Sequence, residues 1–413
     1  MQLFDVKPPL NVHSRDVTIG DQRGGDRISL GRLAELGPNR AVHLSMDFEH
    51  VIGIFGKRGT GKSYLLGGIL EGLSWKQPQS EVAITSISRG AILFDLLNIF
   101  QWMGSGTDGS APTTVDLFHV PGHQAPTATS QPLTIRPQDL SADDWCILFD
   151  IDGIRDPMGQ CISDALFQLK SKKKFSLSDL SGGVINMGGT YAPETIRALT
   201  QRISALSHLG LFDAEGQALT ILCKPRTLAV ILFAGVPESI RSLYVFLVLR
   251  KVYEDRVASS QRMKEHILRG TIDQGDDLPR MWLLIDEAQN ILPSRNVSYA
   301  SDMLATFVRE GRNFGLSLCF TSQQPSAIDK RIMSQLDTLI AFTLGSPTDL
   351  SAVKSNLKCA EPREIKLQGS QLDVSEAIRE LDVGNCVVSN TDATRLLFVR
   401  VRDRKTLHGG FEA

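Results

Sequence analysis

The chain has 413 residues, of which 42% are hydrophobic and 22% charged, and 44 Lys and Arg against 46 Asp and Glu leave a formal net charge of −2. That length buries a large core, in one big domain with insertions or in two domains, and the near-neutral balance excludes a globally basic nucleic-acid binder, so any such surface is local. The six cysteines stand apart with no C-x-x-C pair, which argues against a zinc site or a disulfide framework and for buried thiols in a reducing compartment.

Residues 1–48 are mixed, with the turn-rich DQRGGD followed by short apolar stretches, and read as a small β-rich module ending near Asp47. No basic segment with an apolar core opens the chain, and the longest apolar runs, TLAVILFAGV and YVFLVL, fall short of a membrane span. The expectation is a cytoplasmic protein with no membrane partner.

The apolar run VIGIF leads into GKRGTGKS, residues 56–63, and then into LLGGILEGL. The spacing fits G-x-x-x-x-G-K-[ST], with Gly56, Gly61, Lys62 and Ser63 at the fixed positions. Glycines at 56, 59 and 61 let successive N–H groups converge where a strand becomes a helix, and the helix adds a partly positive N-terminus. Such a nest binds phosphate. Gly56, Gly59, Thr60, Gly61, Lys62, Ser63 and Tyr64 are therefore the expected nucleotide contacts. Lys62 is expected at the β- and γ-phosphates and the Ser63 hydroxyl on Mg²⁺.

A strand ends at Asp95 in GAILFDLL, and a Gly-, Pro-, Ser- and Thr-rich connection follows. Within it His119 and His123 flank Pro121 and Gly122, which break any helix, so the pair reads as loop rather than metal site. Residues 137–215 read as an inserted helical subdomain: SADD fits a capping box, and Ile196, Leu199, Ile203, Leu206 and Leu209 mark one apolar face. Inside it LKSKKKF carries Lys170, Lys172, Lys173 and Lys174, which either solvate a helix end or touch DNA or a partner.

Strand and helix patterns then alternate: TLAVILFA, PESIRSLYVFLVLRKVYEDR, MWLLIDEAQN, SDMLATFVREGRNF, LSLCFT, IDKRIMSQL, TLIAFTL and TDLSAVKSN. The alternation predicts an α/β domain with a mostly parallel sheet and its ligand at the carboxyl ends of the strands. Asp286 and Glu287 end an apolar strand. Alone they fit a helix cap as well as a site; downstream of the P-loop they read as the Mg²⁺ organiser and the general base. Gln323, after the next strand, either senses the γ-phosphate or belongs to a capping turn ahead of Pro325. Arg309 and Arg312 in VREGRNFG are surface arginines or a finger offered to a neighbouring subunit.

Taken together, GKRGTGKS, LLIDEAQN, REGRNFG, TSQQPSAIDKRIMSQLDTLI and the terminal VRVRDRKTLHGG resemble the HerA branch of the HerA/FtsK P-loop ATPases, over roughly residues 28 to 413. The resemblance implies a RecA-like core spanning residues 49–413, with an inserted helical bundle and a small N-terminal barrel. It also implies a homo-hexameric ring that uses ATP and Mg²⁺ to move double-stranded DNA through its pore beside a nuclease or a sirtuin-type effector. By position it makes Arg312 a finger acting on the neighbour, and Arg402, Arg404 and His408 part of a C-terminal segment, residues 395–413, that reaches toward nucleotide at the subunit interface.

The chain departs from the family pattern in three places: after Asp95 it reads LLNIF where relatives carry D-P-x-G-E-Y, Gln324 stands where an arginine is common, and the N-terminal module is short. The lost acid motif and the short module fit an alternative in which the ring is an ATP-regulated assembly platform of an anti-phage complex. Pore contacts to DNA are expected from the loop ILPSRNVSY, through Arg295.

Overall fold

The computed structural model describes residues 2–8, 16–20, 25–77, 79–271, 278–294 and 299–410. Arg295 lies outside them. The chain divides into two compact units, one made of residues 1–116, 222–234 and 253–413 and the other of residues 117–221 and 235–252.

The first unit is built on a parallel sheet whose strands are mostly apolar and buried along nearly their whole length, as strands covered on both faces are. In spatial order they are Thr338–Ala341, Val51–Phe55, Leu316–Ser322, Arg280–Ile285, Arg89–Asp95 and Leu228–Leu232, each paired parallel with the next. Nearly every one of these residues is buried, and only Arg280 is partly exposed. The helix Lys62–Ser74 packs on this sheet, burying Leu65, Leu66, Ile69, Leu70 and Leu73.

Beyond Thr338–Ala341 the sheet turns antiparallel, through Asn385–Asn390, Leu397–Val401 and Arg27–Leu33 to Ala41–Ser45, with Val17–Ile19 pairing parallel at the edge. Asp5–Lys7 pairs with Glu364–Leu367 in a separate three-stranded sheet, whereas the strands Val17–Ile19, Arg27–Leu33 and Ala41–Ser45 extend the core sheet through Leu397–Val401. The reason is local. Gly31 has φ 155° and an added Cβ there would sit 1.9 Å from the Arg400 carbonyl oxygen, so this glycine lets the two strands lie edge to edge.

The second unit holds the helices Ala142–Phe149, Pro157–Leu169, Leu177–Ile185 and Pro193–Ser207. Ser141 and Ser176 start two of them with reciprocal capping boxes through Asp144 and Asp179. Leu199 and Ile203 are buried on the last helix, as its apolar face requires. In the lysine run, Lys172 pairs with Asp179 at 2.7 Å, Lys174 with Glu215, and Lys170 sits 5.2 Å from the Phe167 ring centre.

All six cysteines are free thiols. Among the described residues no helix is long and apolar enough to cross a membrane.

Candidate nucleotide site

The strand Val51–Phe55 delivers the chain into the glycine loop at its carboxyl end. Gly56, Gly59 and Gly61 all have positive φ, at 157°, 78° and 120°. A Cβ on Gly56 would meet the Phe342 Cβ at 2.7 Å and the Thr60 Oγ1 at 2.8 Å, and one on Gly61 would reach the Phe342 ring at 3.0 Å. Glycine is thus required by both torsion and space. Gly61 caps the helix Lys62–Ser74 with no side-chain hydrogen bond, which leaves the first-turn amides for an anion. The Lys62 ammonium is buried and donates to the Lys57 carbonyl at 3.0 Å. Burial lowers its pKa, against the pull of Glu287 and Asp286.

Asp286 follows directly on the strand Arg280–Ile285, one strand removed from Val51–Phe55, and is fully buried. Ser63 Oγ donates to its Oδ1 at 3.0 Å, and Thr321 Oγ1 donates to the same oxygen at 2.6 Å. Burial pushes the Asp286 carboxyl up to about 6, Glu287 adds to the rise, and Thr321, Ser63 and Lys62 oppose it. A carboxylate and a hydroxyl in contact beside an open helix N-terminus suit a hard divalent cation and phosphate oxygens, so Ser63 and Asp286 fit Mg²⁺ and the loop fits a nucleoside triphosphate.

Glu287 follows at φ 54° and ψ 49°, a left-handed conformation that costs a non-glycine residue roughly 1–2 kcal/mol. The turn breaks the strand and aims the side chain back across the sheet. Its N–H donates to Thr321 Oγ1 at 3.0 Å. Its carboxylate is gripped twice, by Gln323 Nε2 on Oε1 and by Gln289 Nε2 on Oε2, each at 2.6 Å. Thr321 and Gln289 went unnoticed in the sequence. Thr321 is one of three hydroxyl residues in its strand and has no motif to single it out, and Gln289 is turned back onto Glu287 by the left-handed conformation of Glu287, which no sequence pattern marks.

On the strand beside Asp286, the buried Asp95 accepts the N–H groups of Leu97, Ile99 and Phe100. Burial raises its carboxyl to about 7. The acid therefore fastens its own turn.

Two other groups of expected residues lie apart from this cluster in the chain. Arg312 donates to Gln335 O at 2.9 Å and to Asp337 Oδ2 at 3.1 Å. Asp337 also accepts the N–H of Val51, at the amino end of the strand whose other end opens the glycine loop. Arg312 thus faces away from its own P-loop, the length of a five-residue strand or about 16 Å along the sheet.

Arg402 and Arg404 converge on Glu71 of the P-loop helix. Arg402 Nη1 reaches Glu71 Oε2 at 2.6 Å, and Glu71 Oε1 accepts the N–H groups of Lys405 and Thr406. Arg404 donates its backbone N–H to the Tyr64 hydroxyl at 2.8 Å, and His408 meets the Tyr64 ring edge-on at 5.6 Å. Burial, with Arg404 beside it, holds the His408 ring down to about 4, so it is neutral and its Nδ1 can accept from the Arg404 guanidinium at 3.0 Å.

A glycine loop entering a helix, with a serine and an acidic pair at the carboxyl ends of two parallel strands that flank a third, defines a P-loop NTPase fold. Solved structures agree on that fold. VirB4 of Thermoanaerobacter pseudethanolicus superposes with a TM-score of 0.54 at 13% identity, covering 94% of this chain and 98% of that one. The plasmid coupling protein TrwB, solved with a non-hydrolysable ATP analogue, gives 0.53 at 15% identity over 96% and 91%.

The chain belongs to the HerA family: its residues 28–252 match the model described as the central domain of helicase HerA. Among curated proteins, a DNA double-strand break repair helicase HerA of Pyrococcus furiosus is 26% identical over 231 residues, 52% of this chain and 40% of that protein. A probable helicase of Methanocaldococcus jannaschii is 34% identical over 108 residues, 26% of this chain and 21% of that protein. The match thus spans less than half the length of these relatives.

Proposed function

We propose that the chain hydrolyses ATP with Mg²⁺ as one subunit of a homo-hexameric ring that moves double-stranded DNA through its pore beside a nuclease or another effector. The observation that carries this reading is the single hydrogen-bonded cluster of Ser63, Asp286, Thr321, Glu287 and Gln323 next to the open N-terminus of the P-loop helix. Membership of a family of helicases and a fold shared with a protein solved around an ATP analogue support it.

In this reading the loop amides from Gly56 to Ser63 and the Lys62 ammonium bind the phosphates, Ser63 and Asp286 hold the cation, and Glu287 takes a proton from water. Bound Mg²⁺ supplies charge neutralisation at the phosphates. Thr321 keeps Asp286 in place. Gln323 holds the Glu287 carboxylate and links it to the next strand. Arg312, turned from its own loop, serves the nucleotide of the neighbouring subunit, so hydrolysis depends on assembly. Tyr64, Arg404 and His408, gathered on the first turn of the P-loop helix, form a flat-faced contact for the nucleotide at that interface.

The test is ATP turnover of the purified protein with and without duplex DNA, beside Glu287→Gln, with the oligomer's mass measured in the same buffer. A hexamer whose turnover rises with DNA and falls by about 10²-fold or more in Glu287→Gln supports the motor. Turnover that is weak and indifferent to DNA, rising only with an effector, supports an assembly platform. A monomer inert toward ATP overturns both.

A further inference from the structure

Gln289 has no part in the reading above, yet it touches the proposed base directly. It lies in the short turn Ala288–Asn290 that the left-handed Glu287 begins. Its Nε2 donates to Glu287 Oε2 at 2.6 Å, opposite Gln323 on Oε1. The amide has only one sensible orientation here, because turning it over would set a carbonyl oxygen against a carboxylate oxygen. That orientation leaves the Gln289 Oε1 buried with no hydrogen-bond partner among the described residues. Buried acceptors are nearly always satisfied, and an orphan beside a carboxylate calls for a donor that arrives when the site is in use.

We propose that Gln289 is a positioning residue for hydrolysis, fixing the Glu287 carboxylate through Nε2 and accepting a hydrogen from the attacking water through Oε1. Donor and acceptor belong to one planar group, so the orphan oxygen sits beside the carboxylate oxygen that the amide holds. A water there can give one hydrogen to Glu287 and the other to Gln289, which leaves its lone pair directed away from both. Gln323 grips the other oxygen, and the two amides together prevent the carboxylate from rotating. This inference rests on the reading of Glu287 as the base.

The experiment uses the full chain with Gln289→Ala, Gln289→Glu and Gln289→His, together with Glu287→Ala and the Glu287→Ala/Gln289→Ala double variant. Three quantities are read: ATP turnover, the dissociation constant of a non-hydrolysable ATP analogue, and the thermal midpoint without nucleotide. Gln289→Ala is expected to lower kcat by about 10²-fold with KM and analogue affinity held within about twofold. Gln289→Glu, the same shape with a repelling carboxylate, is expected to do the same. Gln289→His, which keeps one donor and one acceptor, is expected to recover most of the rate.

Parent-like turnover in Gln289→Ala, or a loss matched by lost affinity, overturns the proposal while leaving the ATPase reading intact. Should the parent itself be inert, that reading fails separately, and the nucleotide-free melting cycle decides on the clamp. Midpoint shifts of the two single variants that fail to add in the double variant support the Gln289–Glu287 contact, and additive shifts overturn it.

Discussion

Arg312 and Asp337 are joined at 3.1 Å with the arginine side chain 40% exposed, so a cation directed away from its own nucleotide loop is tethered by an acid that also fixes the first residue of the P-loop strand. Asp337 is well supplied with donors: Arg312 reaches it, and against the upward push of burial His50, Thr338 and Val51 keep its carboxyl below the usual range. Release of Arg312 therefore leaves no orphaned acid. We expect Arg312→Ala to retain nucleotide affinity and ring mass while turnover falls by about 10³-fold, the scale of an arginine finger. Arg312→Lys, which lacks the planar fork, should recover little. Undiminished turnover in an intact ring would exclude the role.

Thr321 links the acidic pair to the neighbouring strand, donating to Asp286 and accepting from the Glu287 N–H. Thr321→Val keeps the shape and removes both bonds, leaving a buried N–H without a partner. The expected cost is about 1–3 kcal/mol of stability. Because the left-handed turn at Glu287 loses its anchor, kcat should drop more than nucleotide affinity does. Chemical denaturation and turnover, measured on the same preparation, check both halves.

Glu71 is fully buried on the P-loop helix and carries the charge that holds the C-terminal segment down, with Arg402 at 2.6 Å and Arg404 at 3.8 Å. Gly67 is part of the same packing, since a Cβ there would lie 2.4 Å from the Arg404 guanidinium. Removing one partner of a buried ion pair leaves the other uncompensated, at roughly 3–5 kcal/mol. Glu71→Ala should therefore lower stability by that amount. Proteolysis near residue 402 should speed up at the same time, a local readout that separates loosening of the segment from global unfolding.

The P-loop and the acidic pair were legible in the sequence because both are local: a fixed spacing of glycines and an apolar strand that stops at a carboxylate. What connects them was not. Thr321 lies 35 positions from Asp286, and only the parallel register of Leu316–Ser322 beside Arg280–Ile285 brings it underneath. The helix read as residues 237–256 runs as Glu238–Arg269, because its apolar pattern fades at VASSQRMKEHILR while the helix-favouring residues continue. The sequence carries no mark that Arg27–Leu33 extends the core sheet through Leu397–Val401. Likewise the tether of Arg312 depends on Asp337, a residue with no motif of its own.

Asp95 offers a pH test, since its carboxyl is raised to about 7 by burial, with Asp286 adding to the rise and three backbone N–H groups opposing it. The unfolded chain ionises this group near 3.8, so the folded state binds the proton more tightly between that value and about 7. The associated stability is complete below the lower limit and is lost as pH climbs through the window, at up to about 1.4 kcal/mol per pH unit. Asp286, raised to about 6, acts in the same direction, whereas His408, held down to about 4, acts in the opposite one. The sum is therefore less informative than a difference. Between pH 5 and 8 without nucleotide, the thermal midpoint of the parent should fall relative to that of Asp95→Asn, which keeps one oxygen for the turn and cannot ionise. Parallel curves for the two proteins would mean that Asp95 is ionised throughout the window.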